Sequence, residues 1–329
     1  MIRYIVRRLI AVAGILLVIC GITFVIFYVL PADPATLACG RACTPERIAE
    51  IQHQLGLDRP IYQQFFDYVV GIFAGRTFGT GEAAVQCPFP CLGFSYQNNL
   101  PVWSLLMDRL PVSASIAIGA AALWLLVGLG AGVISALRKG SLWDRGAMVV
   151  ALSGVSLPVY FTALVLLYVF YIRLELIPYP EFVNPFTDPA GWISAMILPW
   201  ITLAFLFSAM YARLTRAGML DTMAENYVRT ARAKGLPERT VVVKHGMRAA
   251  LTPVITIFGI DLGQLLGGAL ITETVFGMPG VGQLAYQAIG TIDQPVIMGV
   301  TLFAAFFIVF ANLIVDILYA VLDPRVRYT

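Results

Sequence analysis

Residues Asp221 to Pro253 read DTMAENYVRTARAKGLPERTVVVKHGMRAALTP, a basic, amphipathic stretch wedged between strongly apolar spans. A chain does not need such an insert merely to cross a bilayer. Thr222 and Glu225 have the spacing of a capping box, with the threonine at the helix start and the glutamate at the third helical position. Ala224, Tyr227, Val228 and Ala231 then recur at i, i+3, i+4 and i+7, which is one face of a helix. Gly235 supplies a C-terminal cap, and Pro237 blocks continuation. The pattern predicts a helix over residues 223–234, about 18 Å long at 1.5 Å per residue. Its apolar face is small: two alanines, a valine and a tyrosine. A helix lying on lipid favours bulky Leu, Phe and Trp, whereas small residues permit close approach in a protein groove. The stretch therefore reads as a docking element that takes force from a soluble partner. The plainer reading is a solvated loop with incidental helix.

The flanking composition sets the class. Of the 329 residues, 59% are hydrophobic and 12% charged, against about 45–50% and about 25% in soluble domains. Six apolar runs reach spanning length: Leu9–Leu30, Val112–Leu137, Ala147–Ile172, Ile193–Leu214, Pro253–Ile271 and Val296–Leu322. About 20 apolar residues cross the hydrocarbon core as a helix. None of the runs alternates as barrel strands do. The first run is too long for a cleaved signal peptide, and Pro31, Asp33 and Pro34 follow it instead of a small-residue cleavage site. The expected fold is an all-α membrane protein with six transmembrane helices. No basic tract with interleaved aromatics points to nucleic acid.

Charge sets the expected orientation. With both termini cytoplasmic, only six of the 22 Lys and Arg fall outside: Arg41, Arg47, Arg59, Arg76, Arg109 and Arg173. That is the positive-inside bias. A long loop between the first two spans then lies outside, dividing the chain into residues 1–105, the first span plus a loop domain, and residues 106–329, a five-span core. Thr44, Pro45 and Glu46 open a helix in this loop that ends at Gly56. A second helix is predicted from Tyr62 to Ile72, and residues 75–101 read as irregular.

Cys39, Cys43, Cys87 and Cys91 form two Cys-x-x-x-Cys pairs in the loop. An oxidising exterior favours structural disulfides, in any of three connectivities. Zinc held by four thiolates is the rival reading, although the spacing differs from the usual two-residue separation. Cys20 lies within the first span. Small residues recur every fourth position at Gly128 and Gly132, and at Gly259, Gly263 and Gly267. Such ridges allow close helix approach. The first reads as packing within the chain, the second as facing a neighbouring subunit or a pathway. Pro158 is expected to kink the third span. Asp261 and Asp316 sit within spans, where a charge usually faces protein or water. Asp261 is a candidate for lining a path, near a substrate ammonium group, or else a structural contact.

Several runs carry a family resemblance. Tyr227-Val228-Arg229-Thr230-Ala231-Arg232-Ala233-Lys234-Gly235 resembles the cytoplasmic coupling motif of ABC importer permeases, more narrowly of the dipeptide, oligopeptide and nickel permease family. Arg229, Thr230 and Ala231 occupy the triplet positions of that motif, and Gly235 is retained. Pro31-Ala32-Asp33-Pro34-Ala35, Leu55-Gly56-Leu57-Asp58-Arg59-Pro60, the run from Glu273 through Gly277, Pro279 and Gly280 to Gly282, Asp293-Gln294-Pro295 and Leu322-Asp323-Pro324-Arg325 are similar to further signatures of the family. A Cys-bearing insert before Ser95 departs from it.

The resemblance implies a type I ABC importer permease fold with an extracytoplasmic loop domain. It also implies a function: one permease subunit of an ATP-driven importer of di- or oligopeptides in a bacterial or archaeal cell membrane. The implied partners are a second homologous permease, two ATPase subunits that bind ATP and Mg, an extracytoplasmic solute-binding protein, the peptide and the bilayer. Coupling then falls to Ala224, Tyr227, Val228, Arg229, Thr230, Ala231 and Gly235, and the path or gate to Asp261, Glu273, Gly277, Pro279 and Gly280.

The chain itself has no Gly-x-x-x-x-Gly-Lys-Ser/Thr phosphate loop, so ATP-driven work is expected to reach it from a partner. No catalytic constellation or metal set emerges, and His53 and His245 fall on opposite sides of the membrane. The alternatives are a permease for nickel or another small solute, and a membrane scaffold or receptor without transport.

Overall fold

The computed structural model describes residues 2–29, 35–36, 44–55, 59–78 and 84–322. Helix α1 (Ile2–Phe24) widens into a π-turn at Val25–Val29, and α2 (Pro45–Leu55) and α3 (Ile61–Ala74) follow. Strand β1 (Arg76–Phe78) pairs antiparallel with β2 (Val85–Cys87), and β3 (Phe94–Ser95) with β4 (Leu100–Pro101). The segment expected to be irregular thus holds two short hairpins. Next come α4 (Val102–Leu137), α5 (Leu142–Ser156), α6 (Val159–Leu167), α7 (Pro189–Ala224) and α8 (Asn226–Ala233). The wound segment α9 (Glu238–Ala250) leads to α10 (Thr252–Leu266), α11 (Leu270–Val275), α12 (Val281–Thr291) and α13 (Gln294–Leu322).

Among the described residues, four helical stretches are long and apolar enough to span: Val6–Phe27, Val102–Leu137, Pro189–Ala224 and Gln294–Ile317. Counting each bent pair, α5 with α6 and α9 with α10, as one span raises the number to six. The third span differs from expectation. Pro158 does not kink one helix; it separates two that meet at 102°. The residue before a proline is pushed out of the helical region, and Leu157 accordingly sits at φ −87°, ψ 129°. The fifth span also stops early, at Leu266, because Gly268 turns the chain with φ +123° before α11 begins.

The described chain forms two compact units. One holds everything up to Ser113, Gly263–Leu270 and the residues from Pro279 onward. Its core gathers Cys20 and Phe24 of α1, Leu106 of α4, and Val296, Met298 and Phe303 of α13. Arg8 pairs with Asp316 at 2.9 Å, tying α1 to α13. The glycine ridge of the fifth span is used here. A β-carbon on Gly263 would lie 2.8 Å from Ala311 Cβ, and one on Gly267 2.7 Å from Ala304 Cβ. At these two positions the ridge packs on the chain's own α13, not on a neighbouring subunit or a pathway. Cys87 and Cys91 form a disulfide; Cys39 and Cys43 lie outside the described residues. Cys20 is a buried free thiol.

The other unit holds Ala114–Leu262 and Ile271–Met278. Helix α7 is its spine. Gly128 and Gly132 of α4 lie so close to it that added β-carbons would fall 2.8 Å from Tyr211 Cβ and 2.7 Å from Ala212 O. Gly154 of α5 similarly faces the Phe205 carbonyl at 2.6 Å. The Trp200 indole N–H donates to the Ser115 carbonyl at 2.9 Å.

Candidate functional site

The basic insert is a continuation of α7, sharply redirected. Helix α7 runs on to Ala224, and Glu225 breaks it in extended geometry, φ −66°, ψ 148°. The Glu225 carbonyl then accepts the N–H groups of Val228 and Arg229 at 3.1 and 3.2 Å, which starts α8. The expected capping box does not form. Thr222 is buried in the last turn of α7, its carbonyl accepting the Glu225 N–H at 3.1 Å, and Glu225 makes no side-chain cap. The amphipathic helix therefore begins at Asn226 rather than Met223, and Ala224 belongs to the preceding helix. Eight residues give about 12 Å of length, not 18 Å.

The small apolar face also points elsewhere than expected. Val228 is fully buried and Ala231 nearly so, packed with Val241 of α9 and Met223 of α7. These residues seat α8 on its own chain. Arg229 and Thr230 are exposed on the opposite side, and Tyr227, Arg232 and Lys234 are exposed flanking the buried face. Tyr227 Oη donates to the His245 carbonyl at 3.4 Å. Burial, followed by the negative charge of Glu225, raises its phenol above the ordinary value.

The turn after α8 is strapped. Gly235 adopts φ +76°, and its N–H donates to the Arg232 carbonyl at 2.9 Å. The Leu236 N–H reaches the Ala231 carbonyl at 3.4 Å. Arg232 clasps Glu238 through Nε at 3.1 Å and Nη2 at 2.6 Å. Behind this turn, Met219 of α7 packs with Val242 and Ala250 of α9 and with Ala136 of α4. Gly218 abuts Ala250, where a β-carbon would stand 3.0 Å from the carbonyl. A buried polar knot completes the base. The Asp144 carboxylate, 5% exposed, accepts from Arg216 Nε and Nη2 at 2.8 and 2.9 Å, from the Gly140 N–H at 2.9 Å and from the Ser135 hydroxyl. One carboxylate thus joins the end of α4, the start of α5 and the lower part of α7. Helix α8 is thus seated on packed helices rather than on a loop.

The intramembrane groups are arranged less openly than their sequence positions implied. Asp261 of α10 accepts a hydrogen bond from Tyr211 Oη of α7 at 2.8 Å, and its side chain is half-buried. Tyr211 lies beside Trp124, which also meets Phe207 and Phe258 at centroid distances of 4.7 and 6.2 Å. Glu273 is fully buried, and its carbonyl accepts the Met278 N–H at 2.8 Å. Gly277 combines φ +65° with a Tyr179 hydroxyl 2.7 Å from where a β-carbon would stand. Pro279 is exposed, and Gly280 is the N-cap residue of α12. The Val281 N–H at the start of α12 donates to Ser113 Oγ at 2.8 Å.

Comparison with known proteins places this geometry. Residues 128–328 match the model of the binding-protein-dependent transport system inner membrane component, and residues 1–117 match the N-terminal membrane component model of the same systems. The chain belongs to this permease family. It is 34% identical over 352 residues to a dipeptide transport system permease protein of Escherichia coli (strain K12), covering 100% of this chain and 99% of the relative. A putative peptide transport system permease protein of Brucella abortus (strain 2308) is 37% identical over 325 residues, with 98% of each chain covered. A di/tripeptide transport system permease protein of Pseudomonas aeruginosa (strain UCBPP-PA14) is 36% identical over 349 residues, covering 100% and 99%. Among solved structures, the inward-facing MetNI methionine ABC transporter matches with a TM-score of 0.52 at 16% identity, over 67% of this chain and 97% of that one. The fold is that of a type I ABC importer permease.

Within this permease, two polar ties escaped the sequence patterns. Asp144 and Arg216 are 72 residues apart; Ser141-x-x-Asp144 marks a helix start, but no local pattern links Asp144 to Arg216. Ser95 donates to Asp293 across 198 residues, joined by Asn98 Nδ2 at 3.2 Å. Asp293 was visible only as part of a family signature and Ser95 only as the residue after the Cys-bearing insert; nothing in the sequence paired them.

Proposed function

We propose that this chain is the permease subunit of an ATP-driven importer of di- and oligopeptides, forming half of the translocation path beside a second, similar permease. The reading rests on one observation: end-to-end similarity, at 34–37% identity, to permeases named for dipeptide, peptide and di/tripeptide transport. Two ATPase subunits bind ATP and Mg and dock on the cytoplasmic side, where both termini lie, and an extracytoplasmic binding protein delivers the peptide. Contact with an ATPase falls to Tyr227, Arg229 and Thr230 on the exposed face of α8, while Val228 and Ala231 hold the helix to its own chain. Gly235 sets the turn that couples α8 to α9.

When the ATPases close, α8 moves with its seat, and the knot at Asp144 carries that motion into α4, α5 and α7 as a rigid body. Asp261 lines the path and offers its carboxylate to a peptide ammonium group, with Tyr211 orienting it. The turn at Gly277, Pro279 and Gly280, backed by the buried Glu273, serves as the gate.

The test is reconstitution of the complex with its binding protein in liposomes, followed by ATP-dependent entry of a labelled dipeptide. Peptide should accumulate only with ATP and the binding protein present. Entry of nickel without entry of peptide would overturn the substrate assignment.

A further inference from the structure

Helix α3 is not one of the spanning helices, yet it carries an uncovered aromatic stripe. Tyr62, Phe66, Val70 and Phe73 fall at i, i+4, i+8 and i+11, inside an arc of about 80° at 100° per residue. Each is at least 42% exposed. Phe89, itself exposed, stacks on Phe73 with centroids 6.2 Å apart and lengthens the stripe. The neighbouring sector is polar, with Gln63 and Asp67 at i, i+4, and Asp67 pairs with Arg59 at 2.8 Å. The third sector faces the core. Phe65 meets Phe24 of α1 edge-on at 5.4 Å, and Tyr68, buried, sits 6.1 Å from the same ring.

That third sector fixes the depth of the helix. The apolar run of α1 continues to Leu30, before Pro31. Phe24 lies six residues before that end and Gly21, which faces Phe65, lies nine before it. At 1.5 Å per residue these points are about 9 and 13.5 Å inside the end of the run. Helix α3 lies beside those turns, so a stripe projecting from it meets the acyl chains next to the headgroups. At the same level α1 exposes Ile22, Val25 and Ile26, all apolar. A contiguous exposed apolar patch marks an interaction site. Aromatic rings concentrate at membrane interfaces, and a helix with separate apolar and polar faces lies in the interfacial plane.

We propose that α3 is an interfacial helix whose aromatic stripe is covered by phospholipid of the leaflet next to the end of α1. In the orientation proposed above this is the outer leaflet. Beside the stripe, Arg59, Tyr62, Gln63, Phe66 and Asp67 line a recess of about 470 Å3. Its adjacent cation and carboxylate match the phosphate and ammonium of a zwitterionic headgroup. Anchored in this way, α3 holds the hairpin-bearing loop at a fixed height, since its Ile72 carbonyl accepts the Cys91 N–H at 3.0 Å and Tyr68 Oη donates to the Leu92 carbonyl at 3.3 Å.

The experiment is site-specific photocrosslinking in the assembled complex, embedded in phosphatidylethanolamine-containing nanodiscs. A benzophenone amino acid replaces Phe66 in one variant, Phe73 in a second and the exposed Thr77 of β1 in a third. Mass spectrometry should find phospholipid adducts at the first two positions and not at the third. Because these side chains are exposed, folding is not at stake, and ATP-dependent transport reports it independently. Adducts to another polypeptide at Phe66 and Phe73, or an absence of lipid adducts at both, would overturn the proposal. Loss of peptide transport specificity would leave it standing, since lipid contact does not depend on the solute carried.

Discussion

Gly235 tests the coupling reading most directly. A β-carbon there would meet no atom within 4 Å, so crowding does not explain the glycine. Conformation does: φ is +76°, in the left-handed region. An L-residue pays roughly 1–2 kcal/mol to enter that region, and strained positions range up to about 3 kcal/mol. A destabilisation of 1–2 kcal/mol shifts a two-state equilibrium by a factor of about 5–30. Gly235→Ala should therefore loosen the turn by about that factor and Gly235→Val by more, while Gly235→Asn, which tolerates left-handed geometry, should be mildest. The assay is peptide uptake per ATP hydrolysed by the reconstituted complex, normalised to complex abundance. Uptake per ATP should fall in the order Asn, Ala, Val, with hydrolysis retained, because α8 stays seated through Val228 and Ala231 while the strap from Arg232 to Glu238 loses its fixed spacing. A Val variant that imports as much peptide per ATP as the parent would refute the assignment of this turn. An Asn variant worse than Val would show that backbone geometry does not decide.

The exposed and buried faces of α8 should behave differently. Arg229→Glu should weaken association with the ATPases, read by co-purification, and leave the thermal midpoint of the isolated chain unchanged. Val228→Asp, which buries a charge, should lower that midpoint and abolish coupling. At the base, Arg216→Ala leaves the Asp144 carboxylate buried without its cation and should cut the yield of folded protein; adding Asp144→Asn to that variant should restore part of it. Asp293 gives a pH test. Burial raises its carboxyl above the ordinary range, against opposing hydrogen bonds from Ser95, the Val296 N–H and Asn98. The folded state thus holds the proton more tightly than the unfolded one, so this contribution is complete below about pH 4 and is lost as pH rises through the raised value. The thermal midpoint of the parent should carry a component that falls as pH rises through the raised value, and Asp293→Asn should remove it; an identical pH profile for the two proteins would refute it.

What the sequence revealed and what it hid separate along a physical line. Long apolar runs are legible because lipid leaves a helix few alternatives, and α1, α4, α7 and α13 stand where the runs lie. Breaks in those runs are only half legible. Pro158 announces a disturbance, but whether the chain kinks or turns by 102° depends on what the two halves pack against, as Gly154 does on Phe205. The start of α8 was misplaced because the spacing of Thr222 and Glu225 suits a helix start equally well when α7 is still running. Only the burial of Met219 and Thr222 shows that it is. Periodicity likewise located the apolar face of α8 without naming its neighbour. Val228 and Ala231 repeat at helical spacing whether they meet an ATPase or Val241, ten residues beyond Ala231 on the same chain. Amphipathicity marks a face that must be covered, not the molecule that covers it. The same reasoning recasts where recognition resides. A buried seat made of small side chains fixes the height and angle of α8. Under the proposed function, specificity for a partner falls to the charged and hydroxyl groups on its far side, Arg229 and Thr230, which the family resemblance, not the periodic pattern, brought forward.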